Sequence, residues 1–213
     1  LRRLAGEQAE VAALPVHQQT IAGWTGINGL QPGKPMVWIN EIPWHEMDVD
    51  GELTLRTAHP LARAAEDTLR KTLYQWRHLR GDMVVEPCFY CPLVIHDSGL
   101  GISEDVEIVR TDAASDVVSR RFHRQIESEA DLDKIQTPQV RYDAAATDER
   151  FEALSALFGD LLPIVRRGAP GFWFAPWDEL IRWWGVEAAM LDLALRPELV
   201  HLAMDRLVNA YLA

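Results

Sequence analysis

The sequence predicts an α/β fold, and three observations support this prediction. Short apolar segments follow breaks that are rich in Pro and Gly, as buried strands do. Segments with helical periodicity alternate with these short segments, and a strand, a helix and a strand separated by short breaks form the pattern of a βαβ unit. With 213 residues, of which 48% are hydrophobic and 25% charged, the chain can bury one large core or two small ones.

The first segment is predicted to be a helical lead over residues 1–35. An amphipathic helix is expected from Leu4 to Ala13, a Gly-rich turn region follows it, and Gln31-Pro32-Gly33-Lys34-Pro35 is a strong break signal. The next residues, Met36 to Glu41, are predicted to form a buried strand that ends in polar residues. The chain is therefore divided into the lead and an α/β part over residues 36–213.

A long helix is predicted from Pro60 to Leu79, because apolar residues recur there at spacings of three and four. Gly81 is expected just beyond the end of this helix. A second strand is predicted over residues 82–87, followed by a loop that extends to about residue 101. The residues of the apolar stripe are Leu61, Ala65, Leu69, Leu73 and Trp76, and Trp38 and Trp183 are also expected in a core.

The remaining chain is predicted to hold a hairpin, an exposed acidic segment, one more strand and four helices. The hairpin is expected between Val106 and Arg124, where apolar and charged residues alternate, and residues 127–134 form an exposed helix or linker. The third strand is predicted over residues 161–165. The helices are predicted over residues 148–158, 177–184, 187–195 and 197–212.

Charge and composition restrict the partners that the chain can have. The formal charge is −11, from 32 acidic and 21 basic residues, so we expect binding to neither nucleic acid nor an anionic membrane. No apolar run approaches the roughly 20 residues that span a bilayer, the first residues lack a signal-peptide layout, and only two cysteines are present. These features favour a cytoplasmic location. Because the chain begins with Leu1 and stops in a helical pattern, we expect a piece of a longer protein.

Several segments share the pattern of one superfamily. They are Pro35-Met36-Val37-Trp38-Ile39-Asn40-Glu41, Arg80-Gly81-Asp82-Met83-Val84-Val85, Arg167-Gly168-Ala169-Pro170-Gly171-Phe172, the aromatic stretch from Phe172 to Glu187, and the Leu-x-x-x-Pro-Glu-Leu-Val turn at residues 193–200. Together they resemble the uroporphyrinogen decarboxylase superfamily, which also contains cobalamin-dependent methyltransferases. The resemblance implies the N-terminal part of a TIM (β/α)8 barrel with a helical lead. The chain would supply the first three or so strand–helix units, since a whole barrel takes about 250 residues.

Two departures from the family pattern argue against a true uroporphyrinogen decarboxylase. Where the decarboxylases carry Arg-Gln-Ala-Gly-Arg to hold substrate carboxylates, this chain has Asn40-Glu41-Ile42-Pro43-Trp44-His45-Glu46, whose acidic groups would repel carboxylates. Where they carry Phe-Ser-Asp, it has Glu86-Pro87-Cys88-Phe89-Tyr90-Cys91. The resemblance therefore implies a methyltransferase or demethylase that acts on a small molecule. It also implies a corrinoid on a partner protein and a zinc ion in the C-terminal half of the barrel, with no cofactor held by this chain alone.

The predicted substrate-binding residues follow the predicted strands, where a parallel barrel places its functional groups. His45 is either an acid or base beside Glu46 or a solvated loop residue. Glu41 and Glu86 end neighbouring predicted strands, so their carboxylates either meet and raise one pKa or serve as structural groups. The predicted set is Asn40, Glu41, Trp44, His45, Glu86, Cys88, Tyr90 and Trp173. No catalytic residue is singled out.

Two alternatives remain open at the level of sequence. Cys88 and Cys91 form a CxxC pair, for which a core or pocket-wall role is favoured over metal binding because no second pair accompanies it. No metal is predicted.

The alternative function is a non-catalytic domain that binds a small molecule or a protein. Because part of a barrel leaves strand edges and apolar faces open, a homodimer is expected.

Overall fold

The computed structural model describes residues 1–110, 118–171 and 173–213. About half of the chain is helical and 11% is strand, so the predicted mixture of helix and sheet is confirmed. Within the described residues, we find no helix with both the length and the apolar character that crossing a bilayer requires.

Helices form most of the regular structure. The three helices that start at Pro60, Pro176 and Pro197 begin with a residue whose missing N–H would have no partner in the first turn anyway. The helices predicted from periodicity are confirmed, although the one predicted over residues 148–158 begins four residues earlier. The helices are α1 (Arg2–Ala12), α2 (Val16–Asn28), α3 (Trp44–Met47), α4 (Pro60–His78), α5 (Ala144–Phe158), α6 (Pro176–Trp184), α7 (Val186–Leu195) and α8 (Pro197–Leu212), with a 3-10 helix at Glu129–Lys134.

The strands are short and form two-stranded sheets. They are β1 (Phe89–Pro92), β2 (Ile95–Asp97), β3 (Val106–Val109), β4 (Ser119–Phe122), β5 (Val140–Tyr142) and β6 (Ile164–Arg167). Strands β1 and β6 pair in parallel, whereas β2–β5 and β3–β4 are antiparallel. The predicted hairpin is confirmed as β3–β4, and residues 111–117 between its strands lie outside the described residues. The strands that the structure describes form no closed barrel.

The chain divides into two compact units, each built from two separate segments. The first unit contains residues 1–93 and 144–168, and the second contains residues 94–143 and 169–213. Residues 94–143 are thus inserted between β1 and α5 of the first unit. Residues 1–35, predicted as a separate lead, belong to the first unit together with residues 36–93.

The core of the first unit forms around α4. Its apolar stripe is buried as predicted, with Leu69 and Leu73 at most 1% exposed. Helix α1 packs on α4, and α5 packs on both β1 and β6. Each large apolar side chain buried in this way stabilises the unit by about 1.5–3 kcal/mol. The core residues are Leu4, Ala5, Ala65, Leu69, Leu73, Phe89, Cys91, Leu154, Phe158 and Leu162.

The predicted first and second strands are wrong in position. Residues 36–41 and 82–87 belong to no strand ladder. They are linked instead by Asp82, whose N–H donates to the Val37 carbonyl and whose Oδ2 accepts from the Val37 N–H at 2.7 Å. The strand forms at β1, inside the predicted loop. The position of this strand depends on residues far away in the chain. Strand β1 pairs in parallel with the distant β6, and its Phe89 and Cys91 are buried.

Three further predictions for the first unit need correction. Trp38, expected in the core, is 51% exposed because its segment pairs with no strand. The predicted Gly-rich turn region is largely helix α2, of whose side chains His17 alone is buried. The third predicted strand is displaced towards the C-terminus and forms as β6. Trp76 and Trp183, also expected in cores, are buried as predicted.

The second unit is organised around the buried carboxylate of Asp192 on α7. It accepts hydrogen bonds from Trp184 Nε1 at 2.8 Å, from Arg124 Nη2 at 2.9 Å and from Arg196 Nε at 2.9 Å. The hydrogen bond from Arg196 is the main reason that the pKa of Asp192 lies below its ordinary value. Because Arg124 comes from the other segment, this cluster joins the two segments of the unit. The apolar core around it includes Ile126, Leu132, Leu180, Trp183, Trp184 and Leu207.

Candidate functional site

The parallel strand pair of the first unit has one face covered by α5 and one face that α5 does not cover. Phe89 and Cys91 of β1 are buried, and the Phe89 ring lies 5.3 Å from that of Phe158 on α5. Side chains alternate along a strand. Tyr90, opposite Val165, therefore projects away from α5, and Val165 is 41% exposed. We name this side the uncovered face and define it by Glu86, Cys88, Tyr90, Val165 and Arg167.

Tyr90 is at the centre of the uncovered face. Its hydroxyl donates a hydrogen bond to Glu86 Oε1 at 2.8 Å. This hydrogen bond to Glu86, with smaller effects of Cys88 and of burial, raises the pKa of Tyr90 to about 12. Tyr90 therefore stays protonated near neutral pH and acts as a hydrogen-bond donor, not as a base.

Arg167 places a positive charge beside this group. Its Cζ lies 4.2 Å from the centre of the Tyr90 ring, within the range of a cation–π contact. No ion pair of Arg167 exists among the described residues, and the stacking contact with Tyr90 positions its guanidinium. The neighbouring Arg166 differs, because it pairs with Asp148 at 2.7 Å and stacks on Phe151 of α5.

The structure separates the two cysteines. Cys91 lies in the core, and burial raises the pKa of its thiol. Cys88 is half-buried and precedes β1 by one residue, so the odd spacing of three directs the two side chains to opposite faces. Across the described ranges, no group of three or more His, Cys, Asp or Glu side chains could hold a metal ion.

The other predicted site residues lie on segments that do not form the uncovered face. Asn40 and Glu41 are exposed on the extended segment before α3. Trp44 and His45 belong to α3, where Trp44 meets Tyr74 edge-on at 6.1 Å and carries Lys71 Nζ over its ring at 5.7 Å. His45 Nε2 lies 3.4 Å from Glu46 Oε1. Trp173 belongs to the second unit and is 83% exposed.

Of the predicted set, Glu86, Cys88 and Tyr90 therefore come together. Of the two carboxylates that were expected to meet or to be structural, Glu86 accepts a hydrogen bond from Tyr90, and Glu41 lies on a different segment, before α3. Arg167 is absent from the predicted site because the predicted third strand ends at residue 165, two residues too early. The signal was present in Ile164-Val165-Arg166-Arg167, where a strand places consecutive arginines on opposite faces.

A second charged cluster in the first unit is structural. Glu66 of α4 is 2% exposed and accepts hydrogen bonds from Thr57 N and Oγ1, Arg56 N and Arg70 Nε, all between 2.8 and 2.9 Å. Burial opposes ionisation, but these hydrogen bonds outweigh it and lower the pKa of Glu66 to about 2. The carboxylate thus binds the backbone of the loop before α4 and holds this loop against the helix.

Comparison with known proteins gives no match: no family model fits the chain, and neither a curated protein nor a solved structure is similar to it.

Proposed function

We propose that this chain is the N-terminal part of a TIM-barrel protein of the uroporphyrinogen decarboxylase type, in which the uncovered face forms one wall of a small-molecule site. The proposed reaction class is corrinoid-linked methyl transfer or demethylation, not uroporphyrinogen decarboxylation. One observation carries the proposal: the parallel β1–β6 pair is covered by α5 on one face and carries polar groups on the other.

This layout supports a barrel because of how barrels divide their two faces. In a (β/α)8 barrel the helices cover the outer face of the parallel strands, the opposite face points into the barrel interior, and ligands bind at the C-terminal ends of the strands, where Arg167 ends β6. Helix α5 lies between β1 and β6 in the chain and packs on both strands. The polar residues Glu86, Tyr90 and Arg167 then correspond to interior positions.

The uncovered face suits ligand binding by complementary charges. Arg167 offers a planar set of donors, and Glu86 offers an acceptor next to the Tyr90 hydroxyl. The zinc that the resemblance implies does not fit the described residues, because Cys88 and Cys91 face opposite ways and no three-ligand cluster exists there. No step is therefore assigned to zinc on this chain, and a corrinoid would be held by the partner protein.

The test uses the natural polypeptide that contains this chain. Loss of the cobalt–carbon bond of methylcobalamin is followed by absorbance in the presence of thiol acceptors. Arg167→Met should lower the rate at least about tenfold, the size typical of a lost charged contact to a ligand. Arg166→Met is the matched control, since its side chain lies on the α5 side. A wild type without demethylation, or equal effects of the two variants, would contradict the proposal.

A non-catalytic binding domain is the second candidate. It is favoured by the hydrogen bond that the Tyr90 hydroxyl donates to Glu86 Oε1, because the proton of this hydroxyl is already engaged within the protein. Saturable ligand binding without turnover, again sensitive to Arg167→Met and insensitive to Arg166→Met, would favour this candidate over methyl transfer.

A further inference from the structure

A cavity of about 560 Å³ lies in the first unit, between helix α2 and the segments that contain Trp38 and Glu86. We name it the indole cavity, because Trp24 and Trp38 both line it. We infer that the indole cavity binds an organic ammonium ion.

The two indoles provide the surface that such a cation prefers. Trp24 Nε1 donates a hydrogen bond to the Asp82 carbonyl at 2.8 Å, which satisfies its polar edge and fixes the ring. Trp38 is 51% exposed, on a segment that no strand covers. Trp is the aromatic side chain that attracts cations most strongly through its ring face, and recognition of quaternary ammonium groups is a known use of this contact.

The charge of the lining points to the same ligand class. Glu86 supplies the only carboxylate of the described lining, and neither Lys nor Arg contributes to it. A cation entering the cavity therefore meets negative charge without a resident positive competitor. The remaining polar lining consists of neutral groups such as Thr25 and Asn28.

His17 is an independent observation in favour of a ligand in this cavity. It lines the cavity, is 3% exposed and packs against Trp76 with ring centres 4.8 Å apart and ring planes tilted by 47°. Nε2 lies 3.0 Å from the Val11 carbonyl, which can only accept, so Nε2 carries the hydrogen. Nδ1 is then a bare acceptor, and it is buried without a hydrogen-bond partner. A quaternary ammonium group has no N–H to donate, but a ligand that also carries a hydroxyl, as choline does, can satisfy Nδ1.

The test compares choline with its uncharged isostere 3,3-dimethylbutan-1-ol, by calorimetric titration of the chain. Choline should bind at least about fivefold more tightly, because only the charged ligand gains the cation–π and carboxylate interactions. Trp38→Leu should weaken choline binding about three- to tenfold, and Glu86→Gln should also weaken it. Trp44→Leu is the matched control, since Lys71 already lies over that ring.

Equal binding of the two isosteres, or no saturable binding of choline, would overturn the inference. So would an unchanged affinity in Trp38→Leu. Circular dichroism of each variant verifies that the fold is kept, which is expected for Trp38 because its side chain is half exposed. The inference does not require methyl transfer, although Glu86 belongs both to the indole cavity and to the uncovered face. Arg167→Met leaves choline binding unchanged if the indole cavity is the site, whereas it lowers demethylation if the proposed function holds.

Discussion

In the first unit, Glu66 fastens a loop to the helix that follows it directly, and its partners Arg56, Thr57 and Arg70 are close to it in sequence. In the second unit, Asp192 binds Arg124, which lies 68 positions away on the other segment. The first unit joins its own segments differently, through the β1–β6 ladder and the core around α4. A buried carboxylate thus binds partners close in sequence in one unit and joins two segments in the other, and the predictions below start from this difference.

The largest effect is expected from Glu66→Gln. The variant removes a buried charge whose partner Arg70 is 7% exposed, and we expect a loss of about 3 kcal/mol in the free energy of unfolding at pH 7. Urea denaturation measures this loss. Asp67→Asn, on the same helix and paired with Lys71 at the surface, is the control and should change stability by less than about 1 kcal/mol.

Comparison of wild type with Glu66→Gln at several pH values gives a second test. The folded pKa of Glu66 is lowered to about 2 from an ordinary value of 4.5, so the unfolded chain takes up the proton first as the pH falls. The advantage of wild type over Glu66→Gln should be complete above about pH 5 and shrink between pH 4.5 and pH 2. An advantage that does not depend on pH would show that charge is not its source.

Asp192→Ala should have the next largest effect, about 2 kcal/mol, because Arg124, Arg196 and the Trp184 N–H lose their common acceptor. The loss is smaller than for Glu66 because the arginines are one-third or more exposed and water replaces part of the interaction. Urea denaturation again measures it. Asp205→Ala, at an exposed position of α8, is the control, and equal losses in both variants would contradict the structural role of Asp192.

A smaller effect is expected at a glycine of the second unit. Gly101 has a φ of +80°, and a Cβ there would lie 2.7 Å from the Lys134 carbonyl oxygen. Gly99 has a similar φ of +66° but open space around it. Gly101→Ala should therefore be at least about 1 kcal/mol less stable than Gly99→Ala, since both share the backbone strain and one adds a collision. Thermal unfolding of the two variants measures the difference.

The smallest perturbation is thiol labelling, which leaves the sequence unchanged. Cys88 should react with an aromatic disulfide reagent in the native state, whereas Cys91 should react only when the first unit opens, because it is buried and its pKa is raised. Since both cysteines lie in the first unit, Glu66→Gln should accelerate Cys91 labelling more than Asp192→Ala does. The reverse order would show that the Glu66 cluster does not stabilise the unit around Cys91.

The candidate site was predictable in part. Glu86, Cys88 and Tyr90 are predicted site residues because Glu86 ends a predicted strand and the other two follow it. They do come together, although Glu86 and Cys88 precede β1 and Tyr90 lies within it. Arg167 was not predicted as a site residue, because its role depends on stacking over Tyr90 from another strand. The exposure of Trp38 was not predicted for a related reason, since the burial of a strand residue depends on a partner strand.

The sequence by itself determined the helices that carry an apolar stripe or Pro at the first helical position, as in α4 and α8, because both signals act within a few residues. It also determined the β3–β4 hairpin, whose strands are close in the chain. Only the tertiary structure decided the position of β1 and the insertion of residues 94–143 before α5. It also decided that Arg167, and not Arg166, belongs to the uncovered face. The physical reason is that a parallel strand is stabilised by hydrogen bonds to a distant partner, and local sequence does not specify that partner.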